Sequence, residues 1–194
     1  MPKLKMCALV FFLFSAFPLF ADDGKKANVF YGYGDIKWGS SSEIVKSRYE
    51  NLTKGNPIDK GSVLYEQTNP TKLIKKRSFS FYKDRLYKVY IELNTDLSSD
   101  VYTVVIDKLF TDYGKPHNVE DKKDVSGNFY IKGTTLSWLF NNGDMYLDVK
   151  VWDILNEAGY HVEQIVVYLY ICEPIKNELE KANSKDILDD LNDL

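Results

Sequence analysis

The sequence predicts an α+β fold. The expected architecture is an antiparallel sheet built from two helix-then-hairpin repeats, with the helices on one face and a C-terminal helix. Three observations carry this. Apolar residues alternate with period two around short polar turns within residues 78–93 and 135–151. A stretch of helical period precedes each of these segments. Residues 173–194 form an acidic tail whose apolar residues recur at helical spacing.

The chain opens with Lys3 and Lys5, followed by an apolar run over residues 8–20 that closes at Ala21 before Asp22 and Asp23. This order reads as a signal peptide over residues 1–21, cleaved after Ala21. The run contains Ser15 and Pro18 and falls short of the roughly 20 apolar residues of a spanning helix. The expected location is therefore periplasmic or secreted, with no stable membrane span after cleavage. Cys7 precedes the apolar run instead of closing it, so it is not placed as a lipidated cysteine and leaves with the signal.

Residues 22–34 read as a short polar lead-in ending in Tyr31-Gly32-Tyr33-Gly34. A single α+β domain is expected over 35–172, with repeat halves of about 36–93 and 98–171. Ser40 and Glu43 fit a capping box, and Ile44, Val45, Tyr49 and Leu52 give the short helix that follows a buried stripe. A turn-rich stretch over 54–61 leads to a strand over 62–66. Residues 78–82 and 86–93 flank Lys83-Asp84-Arg85 as a hairpin, with Tyr87, Val89, Ile91 and Leu93 on one face.

The pattern restarts at Ser98-Ser99-Asp100, which can cap a helix with apolar Val101, Val104, Val105, Leu109, Phe110 and Tyr113. Gly114 fits a left-handed residue just past that helix, and Pro116 forbids continuation. A polar loop follows, then a strand over 128–131. Residues 135–140 and 145–151 enclose Asn141-Asn142-Gly143-Asp144, a strong hairpin signal. A long strand is expected over 162–171. In the acidic tail, Ile175, Leu179 and Ala182 fit one helix, and Ile187, Leu188, Leu191 and Leu194 fit a second short stripe able to pack or to dock a partner.

Residues 35–46, Asp-Ile-Lys-Trp-Gly-Ser-Ser-Ser-Glu-Ile-Val-Lys, resemble the opening of a loose group of exported bacterial proteins. Residues 109–116, which exit the second helix through Tyr113-Gly114-Lys115-Pro116, are similar to a helix exit in the same group. Its members are BamE/SmpA-like or β-lactamase-inhibitor-protein-like, or uncharacterised. The resemblance implies helix-then-sheet repeats. The chain lacks both the lipobox cysteine of the first type and the disulfide cysteines of the second, so the resemblance carries over no functional residue.

Composition narrows the chemistry. The formal net charge is −3, and it grows more acidic once Lys3 and Lys5 are removed. This argues against nucleic acid, whose binders carry a basic patch. Lys72, Lys75, Lys76 and Arg77 form the densest basic cluster and read as a solvated loop or strand edge. Only two histidines occur, His117 and His161, and neither has ligand spacing. Serine-hydrolase and phosphate-loop motifs are absent, so no catalytic, cofactor or metal residue is assigned and no cofactor is expected. Glu92, Asp144 and Asp148 leave a glycosidase-like carboxylate pair open. Cys172 closes an apolar strand and reads as a small core residue.

Aromatic residues are the surplus: 14 Tyr, 11 Phe and 3 Trp. Tyr82, Tyr90, Tyr146, Tyr168 and Tyr170 fall opposite the most apolar strand faces. If they share one exposed face, it can take an envelope protein, a peptide or a glycan. The resulting expectation is a non-enzymatic binding or assembly module of the bacterial cell envelope. The alternatives are an inhibitor or accessory protein of an exported hydrolase, acting through a loop near residues 141–144, and an enzyme with a carboxylate pair.

Overall fold

The computed structural model describes residues 31–95 and 101–192. The signal sequence, Cys7 and the Ser98-Ser99-Asp100 cap lie outside the described residues. Strands β1 (Gly32–Tyr33) and β2 (Ile36–Lys37) form a small ribbon. Helix α1 (Ser42–Arg48) follows, then β3 (Thr53–Gly55), β4 (Ser62–Thr68), β5 (Ile74–Tyr82) and β6 (Arg85–Leu93). The second half runs α2 (Val101–Tyr113), β7 (Asn118–Ser126), β8 (Phe129–Phe140), β9 (Met145–Asn156) and β10 (His161–Cys172), before helix α3 (Glu173–Asn192). Strands β3 to β10 form one eight-stranded sheet in the order β3-β4-β5-β6-β10-β9-β8-β7, antiparallel throughout. Each half is thus a helix followed by a four-strand meander, and the two meanders join where β6 pairs with β10.

Helices α1 and α2 cover the same face. Val45 of α1 and Ile106 and Leu109 of α2 join Phe79, Val89, Trp138, Leu147, Val149 and Val166 of the strands in one buried cluster. Trp138 anchors the second half. Its ring meets Phe110 and Tyr113 of α2 edge-on, and its indole N–H donates to the Gly114 carbonyl at 3.0 Å. Gly114 holds a φ of +73° and its N–H reaches the Phe110 carbonyl at 2.9 Å, which ends α2 as its sequence position implies. Among the described residues, no helix is long and apolar enough to cross a membrane.

Several local expectations shift. Ser41, not Ser40, caps α1, accepting from the Ile44 N–H at 3.4 Å. A second cap comes from outside the helix: Asp84, in the β5–β6 turn, accepts from the Ser42 N–H at 2.9 Å. Lys83 and Asp84 both hold positive φ (49° and 58°), the backbone of a two-residue hairpin turn that matches strand twist. Ile44, Val104 and Phe110 are exposed instead of buried. The buried line of α2 runs through Ile106 and Leu109, flanked by Val105 and Tyr113. The polar loop after Pro116 is β7, exposed along its whole length and, among the described residues, an edge strand paired only to β8. The backbone of the tail is a single helix, packed on the face opposite α1 and α2: Ile175 and Leu179 pack on Tyr82, Tyr87 and Cys172.

Candidate functional site

The sheet face opposite α1 and α2 carries the best-formed site. Its geometry follows from cross-strand register, because residues directly opposite in an antiparallel pair point the same way. Ile171, Leu169 and Val167 of central strand β10 lie opposite Lys88, Tyr90 and Glu92 of β6. On the other side they lie opposite Tyr146, Asp148 and Lys150 of β9. An apolar stripe therefore runs down β10 between two polar strands. It continues through Ile165, which pairs with Trp152. The Trp152 indole lies over Gly133 of β8, where an added Cβ would sit 2.7 Å from the ring. Beside it is a shelf of about 280 Å³ lined by Ile131, Ile154 and Ile165.

At the other end of the stripe, α3 and the loop before β4 wall off a groove of about 830 Å³. Ser78, Ser80, Tyr90 and Leu169 contribute to its floor, and Lys176 and Leu179 of α3 to its wall. Asp59 in the loop pairs with Lys88 Nζ and accepts from the Tyr87 hydroxyl. Burial pushes the Asp59 carboxyl up, but the bonds from Lys88 and Tyr87 outweigh this and hold it below its ordinary value. Lys76 pairs with Glu66 at 2.7 Å and Lys75 with Glu92 at 2.8 Å. Burial and the Glu92 carboxylate push the Tyr90 phenol up to about 12. Burial, then Glu173, also raises Tyr146. Both phenols stay protonated at neutral pH and can donate.

The five tyrosines singled out from the sequence do not share a face. Tyr90 and Tyr146 line the groove, half-buried. Tyr82 is buried under α3. Tyr168 and Tyr170 point to the other face, where they pack against the cluster beneath α1 and α2. The reason is that β10 is apolar on both faces, so its alternation does not say which side meets the helices. Leu169, Ile171 and the Trp152 shelf were missed. The pairing of β10 with both β6 and β9 would have exposed them.

The other sequence candidates have local partners. Glu92 binds Lys75 and Asp148 accepts from Ser137 Oγ at 2.7 Å. Asp144 accepts from Asn141, and its carbonyl is held by the Glu173 N–H at 2.8 Å, which ties the 141–144 turn to the start of α3. His117 Nδ1 accepts from the Leu139 N–H, and His161 lies 3.7 Å from Asp153. Cys172 is a free, buried cysteine whose thiol is raised by burial. Among the described residues, no three or more His, Cys, Asp or Glu are grouped to hold a metal ion.

A family model described as the TP0088 domain matches residues 31–151, more than half of the 194-residue chain. The match runs from the β1–β2 ribbon into β9 and stops before β10 and α3. No curated protein and no solved structure matches.

Proposed function

The chain belongs to the TP0088 domain family, and from that premise we propose that it is a non-enzymatic binding module of the bacterial cell envelope. Its periplasmic or secreted location follows from the signal sequence read at its start. The binding surface is the sheet face that carries the β10 stripe, and the partner is an envelope protein.

The observation that carries this reading is the combination of groove and stripe on one face. Apolar Leu169 and Ile171 lie between half-buried tyrosines, Tyr90 and Tyr146, at the foot of α3. Tyrosine rings around an apolar centre with a charged rim are the usual composition of a protein-recognition patch. The rim charges pair with one another, so a partner meets a surface that is locally neutral and already ordered.

The test is a crosslinking pulldown of the processed protein from its native envelope fraction, alongside Tyr90→Ala, Tyr146→Ala and Leu169→Asp. A Val119→Asp variant on the exposed β7 edge serves as control. The wild-type and the control recover the same partner, and the three face variants lose it. Recovery of no partner by the wild-type at native expression would sink the reading, as would equal recovery by the face variants.

A further inference from the structure

The basic cluster over residues 72–77 is not absorbed by the groove. Strand alternation divides it. Lys76 turns to the groove face and meets Glu66, and Lys75 meets Glu92. Arg77 turns to the helix-bearing face, in line with Phe79 and Phe81. There the side chains it contacts are neutral. The guanidinium carbon sits 4.9 Å from the Tyr49 ring centre and 5.8 Å from that of Tyr33. One terminal nitrogen donates to Gln67 Oε1 at 3.4 Å, and the guanidinium acts on the Tyr33 phenol, whose upward shift by burial it partly offsets. Among the described residues, its Nε is buried without a hydrogen-bond partner. Among the described residues, no carboxylate pairs with Arg77. Asp35, on the nearby ribbon turn, is instead paired with Arg48 at 3.5 Å.

We propose that Arg77, Tyr33, Tyr49 and Gln67 form a carboxylate-binding site, separate from the groove. A partly buried guanidinium ordinarily meets an anion, and here stacking on two rings holds the charge without neutralising it. The surrounding groups are fixed independently of any ligand. Gln67 donates its Nε2 to the Glu50 carbonyl, which leaves Oε1 turned toward Arg77. Tyr49 packs tilted on Phe79 at 4.8 Å between ring centres, and Tyr33 packs on Tyr170 at 5.3 Å. The planar guanidinium fork matches a carboxylate in two-point contact. The Tyr33 phenol, raised by burial, keeps its proton at neutral pH and can donate it to the same anion. One guanidinium with neutral donors balances a monoanion and leaves a phosphate dianion undercompensated. Among monoanions, a carboxylate presents two coplanar oxygens that match the guanidinium fork, and it is the ligand class proposed.

The test uses the processed full chain at pH 7 and fixed ionic strength, titrated with acetate, phosphate or chloride and read by thermal shift. Acetate is expected to give a saturable rise in Tm beyond chloride, with phosphate the weaker oxyanion. Arg77→Lys keeps the charge but loses the fork, and is expected to weaken the acetate response by about tenfold. Lys54→Gln, on the exposed strand β3 and outside both sites, keeps the response. Equal responses to acetate and chloride in the wild-type would show Arg77 to be a stacked packing residue only. An undiminished acetate response in Arg77→Lys overturns the site, and phosphate outranking acetate overturns the ligand class. Arg77→Gln removes the charge and is expected to abolish the response; should it fail to fold, Arg77→Lys, which retains charge and most of the side-chain volume, still carries the test. The groove plays no part in it, so its result is independent of the pulldown.

Discussion

Asp59 sits on a loop, yet it joins two strand residues through one carboxylate, accepting from the Tyr87 hydroxyl and pairing with Lys88. Its folded pKa lies below its ordinary value of 3.8, so the folded state binds fewer protons than the unfolded chain just below that pH. The stabilisation it brings is fully present above the unfolded pKa. It is lost as pH falls through the lower, folded one. Asp59→Asn should therefore cost stability at pH 7 and remove part of the decline expected below about pH 4. The loss at neutral pH should be about 1–2 kcal/mol, because Lys88 keeps solvent access and is not stranded. Urea denaturation at pH 7 and pH 3 checks both. A variant that loses the same stability at the two pH values would show that Asp59 acts through packing and not through its charge.

At the scale of elements, the attachment of α3 rests on few contacts. Ile175 and Leu179 supply its buried apolar surface, and Arg85–Glu178, Asn183 to the Lys60 carbonyl and Lys60–Asp186 are exposed polar links. Exposed ion pairs are worth about 0–1 kcal/mol each, so the two apolar residues hold the helix. Leu179→Ala should weaken the protein by about 2–4 kcal/mol. Hydrogen exchange should show α3 losing protection before the strands do. Uniform loss across α3 and β9 would mean that the helix is integral to the sheet and not a separately opening wall of the groove. How much of this was legible beforehand differs by element. The β5–β6 and β8–β9 hairpins, the α2 exit at Gly114 and the tail helix follow from local pattern, and each is observed. Strand β7 does not, because an exposed edge strand carries charge instead of an apolar rhythm: Glu120, Asp121, Lys122, Lys123 and Asp124 occupy its middle. Strand β10 announces itself as a strand but not its facing, since both faces of a central strand are apolar. That ambiguity separated Tyr168 and Tyr170 from Tyr90 and Tyr146. In the sequence Arg77 is one member of a basic run. Its isolation from carboxylates is a tertiary fact, set by which acids the two faces present.

The whole molecule raises the question of whether its two helix-and-meander halves are independent. The register from Val167↔Glu92 to Ile171↔Lys88 makes β6 and β10 neighbours in a continuous sheet. Separating the halves would leave each with an unpaired inner edge. The cluster under α1 and α2 crosses the same seam: Phe79 and Val89 come from the first half, Trp138 and Val149 from the second. Tyr33 of the β1–β2 ribbon, which precedes the first half, also packs on Tyr170 of the second. Opening one half therefore uncovers apolar surface on the other, which makes half-folded states unfavourable and the transition cooperative. Val89 and Val149 are both fully buried and lie in different halves. Val89→Ala and Val149→Ala should each lower the midpoint of the same urea transition, by about 1–3 kcal/mol in stability, with the slope unchanged. Autonomous halves would behave otherwise. They would give two transitions, and each variant would move only the one belonging to its own half. The same coupling bears on recognition, because the β10 stripe exists as a surface only while β6 and β9 flank it. A ligand that buries the stripe should therefore raise the single midpoint of the entire sheet.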